Sequence, residues 1–309
     1  MTVHVLFENE SWLPPLVRAL EAHGLEHEPH FVDGGVLDLA APPPQGIFVN
    51  RMSPSAHTRG HQGGVAYVKE ILGWLEAHGR RVINGSEAFA LELSKVRQDV
   101  TLRAAGIDTP HTVAVIGRER LHDAARRLAT PFITKHNQGG KGLGVKLFRD
   151  LDAFDAYVDS SDFLDSPDGV TLLQQYIEPR EPFITRVEIV GGEFLYAIRS
   201  STENGFELCP ADTCAPDAAF CPVGGTGTFA LRPEIGRHDP LVQAYIAYTR
   251  RHGLDVAGIE FVEDRYGRRY TYDVNANSNY NATVESEHGL DGMGAIAALC
   301  AVELATLAA

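Results

Sequence analysis

Two acidic residues and an amide near the C-terminus sit in a pattern that suits a hard cation. Gly258–Glu263 and Tyr270–Asn275 each read as a strand, and Asp264–Gly267 between them reads as a tight turn. Side chains alternate along a strand, so Asp273 and Asn275 share a face. With Asp264 paired to Gly267, Glu260 falls opposite Thr271, diagonal to Asp273 on that same face. Two carboxylates and an amide oxygen make an oxygen-only donor set for Mg²⁺, sparse enough to leave room for phosphate oxygens. The spacing points to nucleotide chemistry.

Phosphate-binding features lie upstream. Phe132 to Val145 reads as a strand, a turn containing Gly139, Gly140, Gly142 and Gly144, and a return strand. Glycines let the backbone approach an anion closely and aim several N–H groups at it. Lys135 lies on the strand before the turn, within reach of an α- or β-phosphate. The pattern is neither a P-loop, which needs Gly-Lys-Ser/Thr, nor a Gly-x-Gly-x-x-Gly dinucleotide turn. A mobile surface hairpin has the same composition. A second hairpin is marked by Gly191-Gly192. If Val190 pairs with Glu193, Arg186 lies opposite Ala197 and shares a face with Arg199. Two neighbouring guanidiniums repel unless an anion lies between them, and they suit phosphate. Two solvated arginines on an exposed face would read the same.

The elements that must position these residues follow from periodicity. Strands at Val3–Phe7, Gly46–Asn50 and Arg81–Asn84 alternate with helices at Pro14–His23 and Val65–His78, which predicts a small parallel α/β domain. Ser94 caps a helix running through Leu102 to Gly106. Strands at His111–Ile116, Pro131–His136 and Gly144–Phe148 then alternate with helices at Arg118–Leu128 and Leu151–Val158. Leu172–Ile177 opens a third region containing Phe183–Val190, Glu193–Ser200 and a helix at Pro240–His252. A terminal helix spans Ala295–Leu307.

The chain has 309 residues, enough for two or three domains, and 44% hydrophobic with 22% charged residues is ordinary for a globular protein. A net charge of −14 argues against a nucleic-acid or anionic-membrane surface. No apolar run approaches a membrane span. The N-terminus reads as a first strand rather than a signal peptide, and four cysteines suggest free thiols in a reducing, cytoplasmic setting. A homo-oligomeric state is left open.

Taken in order, residues 85 to 285 resemble the ATP-grasp superfamily, and within it the RimK-like carboxylate–amine ligases. The resemblance implies that Lys95, on the capped helix, and Lys135 reach the nucleotide phosphates. Gly139, Gly140, Lys141 and Gly142 match a flexible phosphate-covering loop. Gln175, Tyr176, Ile177 and Glu178 match the hinge that contacts adenine. Arg186 and Arg199 match arginines at the reacting centre, and Glu260, Asp273 and Asn275 match the Mg²⁺ ligands. The implied fold class is α/β, more closely the α+β ATP-grasp arrangement. An N-terminal α/β pre-domain (1–93) precedes a small subdomain with the glycine-rich loop (94–171). A C-terminal subdomain carries the metal and substrate site (172–309), and the two α+β subdomains clasp ATP.

The implied reaction activates a carboxylate as an acyl phosphate, which an amine then displaces, releasing ADP and phosphate. ATP and Mg²⁺, with Mn²⁺ able to substitute, are the implied cofactors. A carboxylate donor and an amine acceptor, each an amino acid, peptide or related molecule, are the implied partners. Gln175 and Asp273 stand where the family commonly has glutamate, and Ala276–Asn281 replaces Ser-Pro-Gly. Asn277 and Asn279 therefore border the expected acceptor site, with Arg51 and Arg59 facing it from the polar segment 50–61. His61 and His288 are candidate bases. A phosphotransferase on this scaffold is the alternative; a regulator without turnover fits less well, since the inferred lysine, arginine and metal positions are filled. The run Asp273–Asn281 mimics a calcium loop, but Ser278 and Val284 occupy positions that need glycine and glutamate. Cys209, Cys214, Cys221 and His238 lack the spacing of a paired zinc site. Residues 206–214 read as a lid or acceptor loop.

Overall fold

Apolar runs at the start of the chain bury a parallel sheet. The computed structural model describes residues 1–140, 142, 144–202 and 229–308. Its first layer contains β1 (Thr2–Phe7), α1 (Leu13–Ala22), β2 (His27–Phe31), β3 (Gly46–Arg51), α2 (Gly64–Ala77) and β4 (Arg81–Ile83), with the strands parallel in the order β2-β1-β3-β4. Alternation sends Val3, Val5, Ile47 and Val49 toward α1, and Leu6 and Phe48 toward α2. Strand β2 is absent from the sequence expectation. It reads His-Glu-Pro-His-Phe, and its polar residues and proline suit the edge position it occupies.

Next come α3 (Ser86–Glu92), which periodicity did not signal, and α4 (Lys95–Ala104). The Ser94 side chain caps α4 as expected, accepting from the Arg97 N–H at 3.2 Å. The second sheet is antiparallel, ordered β5-β8-β6-β7 from β5 (Thr112–Ile116), β6 (Phe132–His136), β7 (Lys146–Phe148) and β8 (Val170–Gln175). Helices α5 (Leu121–Ala125) and α6 (Leu151–Asp159) cover one face, with Leu121 and Phe154 sharing a core with Phe148 of β7.

The third sheet runs β11-β10-β9-β12-β13, from β9 (Phe183–Val190), β10 (Glu193–Ser201), β11 (Phe229–Leu231), β12 (Val256–Glu263) and β13 (Arg269–Asn275). Helix α7 (Pro240–Arg251) packs one face through Val242, Tyr245 and Ile246, and Leu91 and Leu102 of α3 and α4 join that core. Helices α8 (Ala282–His288) and α9 (Gly292–Ala308) follow. Ile296, Ala297 and Cys300 of α9 share a core with Val3, Leu16 and Ile47.

Packing cuts the chain differently from the expected boundaries. Strand β8 hydrogen-bonds to β5 and β6, so the boundary at 171/172 falls inside the second sheet. Helix α4 belongs to the core of the third sheet rather than the small sheet, and α9 closes the N-terminal layer. Chain order alone does not reveal such returns. Among the described residues no single helix is long and apolar enough to cross a membrane.

Candidate active site

Strands β9, β12 and β13 lie side by side, and their register puts Arg186, Glu260 and Asp273 in one row. A turn forms there, with the Gly267 N–H 2.9 Å from the Asp264 carbonyl, but the Asp264 N–H donates to the Arg268 carbonyl at 2.9 Å and Glu263 pairs with Arg269, one residue beyond the expected Asp264–Gly267 pairing. The expected diagonal does not form. Glu260 faces Asp273 directly and Phe261 faces Thr271, leaving Tyr272 as the extra residue of a bulge. The longer turn accounts for one residue of the shift and the bulge for the other, and side-chain alternation in the sequence fixes neither. Gly258 pairs with Asn275, which brings the amide onto the same face. A Cβ at Gly258 would collide with the Arg186 guanidinium, so glycine is what lets the guanidinium lie across β12.

Arg186 is buried, and each of its three guanidinium nitrogens makes a hydrogen bond. Its Nε donates to Glu188 Oε1 at 2.5 Å, its Nη1 to Glu260 Oε1 at 2.9 Å and its Nη2 to Ser278 Oγ at 2.9 Å. The Ser278 hydroxyl donates onward to Glu188 Oε2 at 2.9 Å, and the Tyr272 hydroxyl donates to Glu260 Oε2 at 3.0 Å. Lys95 Nζ lies 2.5 Å from Asp273 Oδ1, and Asn275 Nδ2 lies 3.2 Å from Asp273 Oδ2. Burial would raise the Asp273 carboxyl, but Lys95 and Lys135 hold it below the usual carboxylate range. Burial would lower Lys95, but Asp273 raises it. Glu260 is raised by burial despite Arg186. Glu260, Asp273 and Asn275 thus offer hard oxygen donors from one sheet face, a set that fits Mg²⁺.

The small sheet forms the opposite wall. Lys135 Nζ donates to the Tyr272 carbonyl at 3.1 Å, and burial together with Lys95 pushes its pKa down to about 8. Gly139, Gly140 and Gly142 line the cleft, whereas Lys141 lies outside the described residues. Asn137, which no sequence motif flagged, ties this loop to α4. Its Oδ1 accepts from the Val96 N–H at 2.8 Å, and its Nδ2 donates to Asp168 Oδ2 at 2.5 Å. Ile133, Val145, Ile177, Ile184 and Val262 line an apolar slot in a cavity of about 230 Å³. Gln175 and Tyr176 also line it, and Gln175 Oε1 accepts from the His111 N–H at 3.2 Å. Glu178 is exposed and is not among the lining residues.

Arg199 departs from its expected place. The turn is as predicted: Val190 pairs with Glu193, and Gly191 and Gly192 have φ of 60° and 72°, the left-handed values of a type I′ turn. A bulge between Phe194 and Tyr196 then shifts the register, so Arg186 faces Ile198 and Arg199 pairs with Thr185. Arg199 therefore projects from the other face. It is exposed, with its guanidinium 5.7 Å from the Phe183 ring.

The N-terminal layer supplies the cleft's third side. Arg51 is buried and held by neutral oxygens: the Ser278 carbonyl at 2.8 Å, Asn279 Oδ1 at 2.7 Å and the Trp12 carbonyl at 3.4 Å. Burial lowers its pKa to about 10. Asn277 and Asn279 line the cleft, with Arg51 behind them; Asn277 Nδ2 donates to the Arg51 carbonyl at 2.8 Å. Arg59 and His61 do not line the cleft. Both bind the buried Glu8, His61 Nδ1 at 2.9 Å from Glu8 Oε2. His288 is exposed at the end of α8. Sequence reasoning missed Glu8 and Glu92. A signal existed for Glu8, an acid just past the C-terminal end of a parallel strand, where α/β sheets place their sites. Glu92 lines the cleft, accepts from the Ala276 N–H and is raised by burial to about 7; its partner is too distant in sequence to leave a pattern. Cys209, Cys214, Cys221 and the expected lid at 206–214 lie outside the described residues.

Residues 94–207 match the RimK-like ATP-grasp domain family. The D-alanine–D-alanine ligase of Chromohalobacter salexigens is 29% identical over 197 residues, covering 63% of this chain and 56% of that protein. A probable alpha-L-glutamate ligase of Haemophilus influenzae is 24% identical over 222 residues, covering 72% and 67%. The chain thus spans little more than half the length of the D-alanine ligase it matches. The crystal structure of a RimK domain ATP-grasp protein from Sphaerobacter thermophilus superposes with a TM-score of 0.69 at 20% identity, over 96% of this chain and 98% of that one.

Proposed function

The chain carries a RimK-like ATP-grasp domain within an ATP-grasp fold, and on that premise we propose that it is an ATP-dependent ligase joining a carboxylate to an amine. The observation that carries the reading is the row of Arg186, Glu260 and Asp273, with Asn275 on the same face, lining one cleft with Lys95, Lys135 and an apolar slot. Adenine would fill the slot along Tyr176 and Ile177. The phosphates would run toward Lys95, Lys135 and the loop at 139–142. Glu260, Asp273 and Asn275 would hold Mg²⁺, or Mn²⁺ in its place. Bound there, the cation would offset charge on the phosphate oxygens during transfer.

Lys95 would exchange Asp273 for a phosphate oxygen. Arg186 would stabilise charge on the acyl phosphate and on the oxyanion formed as the amine attacks. The glycine-rich loop would keep water from the acyl phosphate. Asn277 and Asn279, fixed by Arg51, would border the acceptor. Two relatives named for D-alanine and L-glutamate support an amino-acid or short-peptide substrate, and ATP use together with the cysteine content fits a cytoplasmic protein.

The test supplies Mg²⁺-ATP with amino acids and short peptides whose carboxylates carry ¹⁸O. A ligase releases ADP and phosphate bearing one ¹⁸O, with a product lighter than its two substrates by one water. A phosphotransferase would give a stable phosphorylated product and no free phosphate. ATP binding without substrate-dependent ADP release would count against both.

A further inference from the structure

Outside the cleft, the edge of the first sheet gathers two imidazoles and a carboxylate. His4 on β1 pairs with Glu28 on the parallel strand β2, and Leu6 pairs with His30. Glu28 and His30 are two residues apart and share a face, the one toward which His4 points. His4 Nδ1 lies 3.0 Å from His30 Nε2 and 3.5 Å from Glu28 Oε2, and His30 Nε2 lies 4.0 Å from that same oxygen. A tetrahedral site with bonds of about 2.0 Å separates its ligands by roughly 3.3 Å. Small side-chain movements would centre one ion among the three atoms.

The orientation of His4 is built in. Its ring is buried, stacks on Phe48 at 4.6 Å and places Nε2 3.1 Å from the Gln45 carbonyl. A carbonyl only accepts, so Nε2 carries the hydrogen and Nδ1 presents its lone pair to His30 and Glu28. A backbone carbonyl fixing the far nitrogen is the usual support of a metal-bound histidine. Nothing in the cleft needs this arrangement, and among the described residues no other histidine, cysteine or carboxylate group of three gathers so closely.

We propose that His4 Nδ1, His30 Nε2 and Glu28 bind a borderline divalent cation of the Zn²⁺ class, with a fourth position open to water. Two imidazoles and one carboxylate suit Zn²⁺ and disfavour Mg²⁺. The ion would staple the edge strand β2 to β1. It is independent of the ligase reading, since none of its ligands touches the cleft.

Full-length, untagged protein with Cys209, Cys214 and Cys221 changed to serine is titrated with Co²⁺ and then Zn²⁺ in excess Mg²⁺. The expected result is one equivalent of tetrahedral Co²⁺ absorption, displaced by Zn²⁺, and a Zn²⁺-dependent rise in Tm. His30→Gln and Glu28→Gln, on an accessible edge where folding is not at stake, should each weaken binding at least about a hundredfold. Both should keep the turnover of the parent chain. No stoichiometric binding by the parent, or binding unchanged in both variants, overturns the proposal.

Discussion

The two walls of the cleft balance their buried charges in opposite ways. On the large-sheet wall each cation has a carboxylate: Arg186 bonds Glu188 and Glu260, and Lys95 bonds Asp273. On the small-sheet wall Lys135, among the described residues, hydrogen-bonds only the Tyr272 carbonyl, and nearby carboxylates offset only part of its burial. A buried ion with partners is part of the framework, because removing it strands those partners. A buried ion without a direct counter-charge works against the fold, and is retained where a ligand supplies the missing charge. The large-sheet wall is therefore preassembled, while the small-sheet wall is completed by phosphate.

The largest effect should come from breaking the preassembled side. Arg186→Met leaves Glu188 and Glu260 buried without their cation and should destabilise the protein by about 3–5 kcal/mol, read as a lower urea midpoint. An unchanged midpoint would mean that the carboxylates are not held by Arg186, and the contrast between the walls would collapse. Asp273→Asn keeps the shape of the row but removes a charge from the proposed cation site. It should lower kcat/KM about 10²–10³-fold, and because it leaves the buried Lys95 without its carboxylate it should also lower the urea midpoint; full turnover would sink the metal assignment.

Lys135→Met should move stability the other way. The lysine's pKa is about 8 in the fold against 10.5 when unfolded. Between those values the unfolded chain binds more protons, so the stability of the free protein rises with pH across that window. Below pH 8 the buried ammonium costs on the order of 3 kcal/mol. Lys135→Met should therefore be more stable than the parent at pH 7, flatter from pH 8 to 10.5, and weak in ATP binding. Urea melts of both proteins across this range measure the difference. A variant less stable than its parent at pH 7 would show that Lys135 belongs to the framework after all.

Much of this was legible before the fold was known, and the rest was hidden for physical reasons. Alternation and caps placed Lys95, Lys135, Glu260, Asp273 and Asn275 on the right elements, because those signals are local. The bulges at Tyr272 and between Phe194 and Tyr196 were not legible, since they arise from packing between strands. The second one alone moved Arg199 out of the site. Arg59 and His61 look like free cleft groups in the sequence and are bound to Glu8 in the fold, a partner about fifty residues away. The path of α9 back onto the first sheet was invisible for the same reason.

The smallest expected effect checks that the small-sheet wall is sensitive at its lysine and not throughout its unit. His122 on α5 bridges Asp155 and Asp159 of α6 at 2.7 and 3.0 Å, on the outer side of the small sheet. The hydrogen bond to Asp155 leads the causes that raise its pKa above the usual 6.5. A raised histidine pKa gives stability that is complete below 6.5 and lost as pH rises through the folded value. The ring is partly exposed, so solvent screening should hold the contribution below about 1 kcal/mol. His122→Gln should therefore cost a few tenths of a kcal/mol at pH 6, less at pH 9, and no turnover at either. Equal losses at both pH values would trace the effect to packing between α5 and α6. A loss comparable in size to the gain at Lys135 would mean that the whole small-sheet unit is marginal, and that the lysine is not its one costly charge.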